Sequence, residues 1–244
     1  MKKERLDKIL VARGLLPSRE RAQAMILAGN VLVDEQKVEK SGALVSEEAA
    51  IRLLGNDIRY VSRGGIKLEA ALVHWKIDLK GKSCVDIGTS TGGFTDCMLQ
   101  HGAARVTAVD TGRGQIAGKL RNDPRVMLLE NVNARYLEAA TLGSRADFVA
   151  MDVSFISATL VLPAVLKAAF AESGELVVLV KPQFEAGRGK VGKGGIVRDE
   201  DAQQASVERV RKTVQANGGR AIEVIDSPLL GAEGNREFLL HAIF

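Results

Sequence analysis

Four ionisable residues of this 244-residue chain sit where apolar runs begin or end. Asp152 lies in the strand-like run Phe148–Val153, at the edge of Ser154-Phe155-Ile156-Ser157. Lys181 follows Leu176–Val180 and opens Lys181-Pro182-Gln183-Phe184-Glu185. Glu237 stands in Gly234-Asn235-Arg236-Glu237, directly before Phe238–Ile243, and Lys67 opens a helix that begins near Ile66. Taken singly, a lysine of this kind can snorkel and a glutamate can pair with a neighbour. Taken together, two lysines and two carboxylates at strand ends can handle a proton. A lysine accepts a proton only in its neutral form, which burial or a neighbouring cation favours. Lys67 could supply that cation for Lys181, with Asp152 and Glu237 orienting the ammonium groups.

A second constellation surrounds the end of the run Cys84–Ile87. Val85-Asp86-Ile87-Gly88-Thr89-Ser90-Thr91-Gly92-Gly93-Phe94 reads as strand, glycine-rich turn and helix start, which aims backbone N–H groups at an anion. Asp110 closes the next strand and is placed to accept bonds from ribose hydroxyls. Three chemistries compete for the turn. Gly88, Gly92 and Gly93 fit G-x-G-x-x-G poorly, so a dinucleotide is disfavoured. Gly88-Thr89-Ser90-Thr91-Gly92 matches the G-x-S-x-G nucleophile elbow, but His101 falls on the elbow's own helix and His241 inside the last strand. S-adenosylmethionine, which has no pyrophosphate, needs only loop amides for its carboxylate and an acid for its ribose. Asn133, past the third strand, stands where such a fold contacts adenine, or else caps its loop.

The elements that must position these groups are strands alternating with helices. Cys84–Ile87, Val106–Val109, Val126–Leu129, Phe148–Val153, Leu176–Val180, Ala221–Ile225 and Phe238–Ile243 are seven apolar runs. They imply an α/β, mostly parallel, seven-stranded Rossmann-like sheet over residues 81–244, covered on both faces. Open sheets of this kind build sites at the carboxyl ends of their strands. A final strand running antiparallel would bring Glu237 to the edge that holds Asp152 and Lys181.

Residues 1–58 read as a separate small α+β unit, joined by a linker and lead-in helix over 59–80. Leu6, Ile9 and Leu10 share one helical face that stops at Gly14, and Pro17-Ser18 starts a second helix ending at Gly29. Val31–Val33 and Lys37-Val38 are short strands about a turn, with a third at Ala50–Leu54. The pattern Arg5-Leu6-Asp7, Ser18-Arg19-Glu20-Arg21-Ala22, Ile26, Gly29, Val31 and Val33-Asp34 resembles the S4 RNA-binding domain. Such units usually carry Asn-Gly or Asp-Gly at the strand turn; Glu35 replaces the glycine, which points to another turn type.

The Asp-x-Gly-x-x-x-Gly-Gly-Phe turn resembles that of RNA ribose methyltransferases, and Lys67, Asp152, Lys181 and Glu237 resemble their Lys-Asp-Lys-Glu tetrad. The chain as a whole is similar to the hemolysin A (TlyA) family of ribosomal RNA 2′-O-methyltransferases. The carrying residues include Ser62-Arg63-Gly64-Gly65-Ile66-Lys67-Leu68, Ser90–Thr95, Arg121–Val126, Asn133-Ala134-Arg135, Ser154–Ser157 and Val180–Glu185. The resemblance implies S-adenosylmethionine as cofactor, held by Asp86, Gly88, Thr89, Ser90, Thr91, Gly92, Gly93, Phe94, Asp110 and Asn133. It implies lysine-assisted loss of the 2′-hydroxyl proton of a cytidine ribose. Ending just after its last strand, the chain looks like the short type that modifies large-subunit 23S RNA, with small-subunit 16S RNA as the alternative. Tyr60 departs from the Trp that members often carry in the linker.

Composition narrows the remaining classes. Residues 1–30 hold seven Lys/Arg against three Asp/Glu, so the whole formal charge of +4 sits there and the rest is neutral. Concentrated basicity suits a polyanionic partner, ribosomal RNA or a ribosomal subunit. Lys2, Lys3, Arg5, Lys8, Arg19, Arg21 and Arg63 are candidate RNA contacts. Arg188, Lys190 and Lys193 join them from the glycine-rich segment Ala186–Arg198, read as a mobile basic lid or a plain flexible loop. With 4% aromatic residues, recognition should lean on phosphates and RNA shape. Two cysteines make neither a disulfide framework nor a four-ligand zinc site, and no metal is expected. No signal peptide or spanning segment is evident, which fits a cytoplasmic protein. A binding-only RNA or ribosome protein with a methyltransferase-like fold and a membrane-active haemolysin are the rival functions.

Overall fold

The computed structural model describes residues 3–16, 18–27, 29–54, 59–171, 173–231 and 234–244, with Arg188 described by its backbone alone. The chain forms two compact units, Met1–Ile58 and Arg59–Phe244. Arg59–Lys80, expected as linker and lead-in helix, clusters with the larger unit.

In the small unit, β1 (Lys3–Arg5) leads into α1 (Leu6–Ala12), and α2 (Arg19–Leu27) is followed by β2 (Val31–Val33), β3 (Gln36–Lys37), β4 (Leu44–Ser46) and β5 (Ile51–Leu53). Both helices press their apolar faces, Leu6, Leu10, Ala22, Met25 and Ile26, onto Val31 and Val33. β2 is the centre of a three-strand antiparallel sheet in the order β3-β2-β5. The pairing of β1 with β4 had no counterpart in the sequence pattern, because three-residue strands carry too little alternation to be seen. The hairpin turn corrects the sequence reading. Asp34 (φ 49°) and Glu35 (φ 62°) are both left-handed, as a type I′ turn requires, so the turn type survives loss of the glycine.

The large unit opens with α3 (Gly64–His74). It continues through β6 (Ser83–Ile87), α4 (Gly93–Gln100), β7 (Arg105–Val109), α5 (Gly118–Arg121), β8 (Val126–Leu129), α6 (Ala139–Leu142), β9 (Phe148–Met151) and α7 (Ala158–Ala169). β10 (Glu175–Val180), α8 (Pro182–Glu185), α9 (Glu200–Ala216), β11 (Arg220–Asp226) and β12 (Phe238–Ile243) complete it. The strands form one sheet in the order β11-β12-β10-β9-β6-β7-β8, parallel from β10 to β8, with β12 antiparallel to both its neighbours.

Period-two alternation explains why these strands read as unbroken apolar runs. Val85, Ile87, Val149, Met151, Val178 and Val180 face α7 and α9. Cys84, Phe148, Ala150, Val177 and Leu179 face α3 and α4. The chain order reverses between β6 and β9, which opens a crevice beyond their carboxyl ends.

Candidate active site

Two adjoining cavities, of about 350 and 240 Å³, occupy that crevice and share Gly88, Ser90 and Asp152. The larger is lined by Asp110 and Asn133 on one side and Phe155 and Ile156 on the other. The smaller is lined by Arg63, Lys67, Thr89, Thr91, Gly93 and Phe94.

The loop between β6 and α4 is held by close approaches. Gly88 (φ 85°) needs its missing side chain, since a Cβ there would come within 2.3 Å of the Asp152 carbonyl oxygen. Ser90 is left-handed at φ 50° and donates its amide to Asp110 Oδ2 at 2.7 Å, while Gly112 N donates to Oδ1 at 2.6 Å. The acid at the end of β7 is thereby aimed back at the loop.

Asp86 lies beneath the loop and lines neither cavity. It is fully buried; its Oδ2 accepts from Thr95 N (2.9 Å) and Thr95 Oγ1 (2.6 Å), which anchors the start of α4. Its Oδ1 has no hydrogen-bond partner in the structure. Burial pushes the carboxyl up to about 7 against the Thr95 bonds, with the Asp152 charge adding to the rise. Gly92 is likewise set back from the cavities, packed against Leu120. Asn133 lines the larger cavity, and its side-chain oxygen also accepts from Arg135 N at 3.0 Å. Lining the cavity and capping the loop therefore go together.

Strand register brings Asp152, Lys181 and Glu237 to one edge of the sheet, and α3 adds Lys67. Val180 pairs with Phe238 across the antiparallel β10–β12 ladder, so Lys181 and Glu237 leave the sheet side by side. Met151 pairs with both Ile87 and Val178, which places Asp152 between the loop and Lys181. The side chains close into two ion pairs: Lys67 Nζ to Glu237 Oε2 at 2.5 Å, and Lys181 Nζ to Asp152 Oδ1 at 2.5 Å. The second contact is an ion pair without hydrogen-bond alignment; Lys181 donates instead to Ser154 Oγ at 2.8 Å. Glu237 is 2% exposed, and only glycine at 231 leaves room for its carboxylate, since a Cβ there would meet Oε1 at 2.0 Å. Removing one member of so dry a pair leaves a buried charge alone, at about 3–5 kcal/mol.

Ser154 and Glu185 stand in the sequence analysis only as members of motifs, with no place among the site residues. Glu185 is 3% exposed and accepts from Ser157 Oγ (2.5 Å) and Ala158 N (2.6 Å). Phe155 is left-handed (φ 64°) and 93% exposed, with its ring centroid 5.4 Å from that of Phe184. A bulky residue held strained and bare at a cavity rim is a signal only coordinates show.

The basic candidates are scattered by comparison. Arg5 and Arg19 bond the buried Asp7 at 2.9–3.0 Å, Lys8 pairs with Glu4 at 3.5 Å, and Lys3 is exposed on β1. Arg21 is half-buried on α2, and Lys2 lies outside the described residues, as does the side chain of Arg188. Arg63 is exposed at the rim of the smaller cavity. Lys193 is exposed and Lys190 pairs with Asp199 at 3.1 Å. The glycine-rich segment is tethered: Asn235 Oδ1 accepts from Val197 N (3.0 Å), Asn235 Nδ2 donates to Gly195 O (2.9 Å), and Gln203 holds Val197 O (2.8 Å). Among the described residues no three His, Cys, Asp or Glu gather as a metal site, and no helix is long and apolar enough to cross a membrane.

Comparison with known proteins bears on the same regions. Residues 60–244 match the FtsJ-like methyltransferase family and residues 4–51 the S4 domain. The chain is 45% identical to the 16S/23S rRNA (cytidine-2′-O)-methyltransferase TlyA of Mycobacterium tuberculosis, over 98% of this chain and 89% of that protein. It is 42% identical to Hemolysin A of Brachyspira hyodysenteriae, over 98% and 99%. It is 34% identical to the 23S rRNA (cytidine-2′-O)-methyltransferase TlyA of Campylobacter jejuni, over 75% and 71%. A solved structure from Streptococcus thermophilus that bears the name hemolysin shares 41% identity over 100% of this chain and 89% of that one, with a TM-score of 0.77. An S-adenosylmethionine-dependent methyltransferase from Mesorhizobium loti, 16% identical over 72% of this chain and 96% of that one, shares the sheet at a TM-score of 0.53 and shows the fold alone.

Proposed function

The chain belongs to the TlyA (hemolysin A) family of FtsJ-like methyltransferases, with an S4 domain ahead of the methyltransferase unit, and from that premise we propose that it methylates the 2′-hydroxyl of a cytidine ribose in ribosomal RNA. The methyl donor is S-adenosylmethionine. Large-subunit 23S RNA is the first substrate to test, because it is common to the names of the mycobacterial and Campylobacter relatives. The observation that carries the reading is the gathering of two lysine–carboxylate pairs, Lys67–Glu237 and Lys181–Asp152, of which Lys67 and Asp152 line a cavity that opens beside Gly88 and Ser90.

The residues present fit the donor. The loop Gly88–Gly93 lines the larger cavity through Gly88 and Ser90 and the smaller one through Thr89, Thr91 and the helix start at Gly93, and Asp110 stands at the end of β7 to accept from ribose hydroxyls. Asn133 lines the adenine side, and Asp86, with its unpartnered Oδ1, backs the loop. When bound, S-adenosylmethionine supplies an electrophilic sulfonium methyl.

The chain's own groups do the rest. A ribose hydroxyl is a weak nucleophile and must shed its proton as it attacks. Lys181, once neutral, can take that proton at Nζ; Asp152, which lines both cavities, and Ser154, which lines the larger, hold the nitrogen. Lys67, paired with Glu237, lines the smaller cavity, where a cation favours loss of a proton from the hydroxyl. Positioning supplies much of the remaining acceleration. Phe155, bare at the rim, offers a face on which the base of the target nucleotide can stack. Arg63 offers a cation to its phosphate.

The test is transfer of labelled methyl from S-adenosylmethionine to unmodified large and small ribosomal subunits, with K181A beside the wild type. The expected result is 2′-O-methylcytidine from the wild type and a loss of 100-fold or more in K181A, on the order of the larger contributions of general bases. Equal rates from both proteins would overturn the assignment of Lys181. No incorporation into either subunit by the wild type would leave an RNA-binding protein and sink the reaction itself.

A further inference from the structure

We infer that Glu185 is a positioning residue for methyl transfer: its carboxylate staples the chain leaving β9 to the chain leaving β10, and so holds Lys181 against Asp152. The inference rests on the methyl-transfer reading above.

The ladder between β9 and β10 is recorded from Glu175↔Phe148 to Val178↔Met151, and the strands themselves end at Met151 and Val180. Beyond those ends, backbone pairing no longer fixes how Asp152–Ser157 lies against Lys181–Glu185. Side chains take over. Lys181 reaches Asp152 and Ser154, Phe155 meets Phe184, and Glu185 meets Ser157 and Ala158. The first of these contacts contain the reacting groups, which must release one another as substrate and proton arrive. Glu185 makes the last, farthest from the chemistry, and both of its oxygens are engaged there.

Glu185 is anchored from behind as well. Its backbone carbonyl accepts from Arg209 Nη1 of α9 at 2.6 Å. In front, its partners are the cap and first residue of α7, a twelve-residue helix whose inner face is buried against the sheet. Ser157 also caps that helix by accepting from Thr159 N at 3.2 Å. The staple thus joins two rigid bodies, α7 and α9, across the turns that carry Asp152 and Lys181. A carboxylate suits the position because it accepts two bonds at once and sits at a helix N-terminus, where negative charge is favoured. Burial pushes the Glu185 carboxyl up from its ordinary range, against the bonds from Ser157 and Ala158 that hold it down.

The experiment is single-turnover methyl transfer with unmodified ribosomal subunits and labelled S-adenosylmethionine, both saturating, for wild type, E185Q, S157A and the double variant. E185Q is expected to slow the step about 10- to 100-fold, the scale of a small misplacement of reacting groups. S157A should act in the same direction. The double variant should be no slower than the slower single one, because both lose the same link. S-adenosylmethionine affinity by calorimetry and subunit affinity by filter binding should stay within about twofold of wild type. The acid limb of the pH–rate profile should move in E185Q, since the surroundings of Lys181 change. A wild-type rate and profile in E185Q would overturn the inference. So would multiplicative losses in the double variant with donor affinity falling in parallel, which mark general loosening. Should E185Q fail to fold by thermal melt, S157A alone decides on the same readouts. An inactive wild type would fail the methyl-transfer reading, and this inference with it. An active wild type with an unaltered E185Q would fail this inference alone.

Discussion

Asp7 in the small unit and Asp86 in the large one are both fully buried, yet their carboxyls are driven in opposite directions. Asp7 receives Arg5 at 2.9 and 3.0 Å, Arg19 at 3.0 Å and Gln23 at 2.8 Å. The Arg5 guanidinium above all, with Gln23 and Arg19, holds it well below the usual carboxylate range. Asp86 has only Thr95, on one oxygen, with the charges of Asp152 and Asp110 nearby, and burial carries it up to about 7. Burial alone therefore does not decide whether a carboxyl stays ionised; the supply of donors does. The two arginines around Asp7 remain about half exposed, so the buried charge is joined to water through them. Nothing of that kind reaches Asp86, and such incomplete satisfaction is common where a site serves chemistry before stability.

The largest effect expected from this contrast is the pH dependence of the large unit. The folded-state carboxyl of Asp86 sits at about 7 and its ordinary value is 3.8, so between those limits the folded protein keeps a proton that the unfolded chain releases. Stability should fall as pH rises through that window, by about 4 kcal/mol in all, and then level off. D86N keeps an oxygen for Thr95 and cannot ionise. Its melting curve, followed by Trp75 fluorescence, should lack the decline, so that the variant gains on wild type at pH 8 and not at pH 5. If donor binding weakens in the same variant, the carboxylate is retained for the cofactor at the expense of stability. A wild-type slope in D86N would break the comparison.

Asp7 should behave in the reverse sense. Its stabilising contribution is complete above about pH 4 and is lost as pH falls through the lower folded-state value. D7N leaves two guanidinium groups facing an amide and should destabilise the small unit by roughly 3 kcal/mol at neutral pH. Residues 1–58 contain no Phe, Tyr or Trp, so the loss must be read by amide hydrogen exchange in α1 and α2 rather than by fluorescence. Protection unchanged in D7N would show that the arginines are ordered by something other than Asp7.

The same contrast marks what the sequence could and could not convey. The five central runs of the large sheet were legible because strands buried on both faces repeat apolar residues over four to six positions, as in Glu175–Val180, while the edge strands β8 and β11 are only partly buried. Three of the four residues proposed to handle the proton stand at strand ends, which are marked in the sequence by a change from apolar to charged, and β12 does run antiparallel, which brings Glu237 beside Lys181. Other features depend on tertiary packing and left no local trace. Arg5 and Arg19 read as candidate RNA contacts, and their bonds to Asp7 were not foreseen, because nothing in a single chain tells which charges meet. Asp86 read as a residue that holds the cofactor; that alternation on β6 turns one of its oxygens toward Thr95 and α4 was not foreseen. The paucity of aromatic residues does not say where a ring stands: Phe155, proposed above to take the target base, is 93% exposed and lines the larger cavity. Glu185 was quoted only as part of a motif, because its partner Ser157 is 28 residues away in the chain.

Backbone strain repeats the contrast at a smaller scale. Glu35 and Ser90 are both left-handed without being glycine, one at the tip of a hairpin and the other in the loop beside Asp110. At Glu35 the conformation costs about 1 kcal/mol relative to glycine. The offsetting contact is an ion pair with Arg52 at 2.5 Å whose side chains are 56% and 71% exposed, so solvent screens it and it contributes little. E35G also loosens the unfolded chain, which takes back part of the gain. The net expectation is stabilisation by a few tenths of a kcal/mol, seen as slower hydrogen exchange in β2 and β3, with methyl transfer unchanged. Ser90 is different in kind, because its amide holds Asp110 and the loop contributes to both cavities. Strain at Glu35 is thus removable and strain at Ser90 is not. Faster exchange in E35G would mean that the Arg52 pair, rather than the turn, organises the hairpin, and the two left-handed residues would then be alike in being held by a charge.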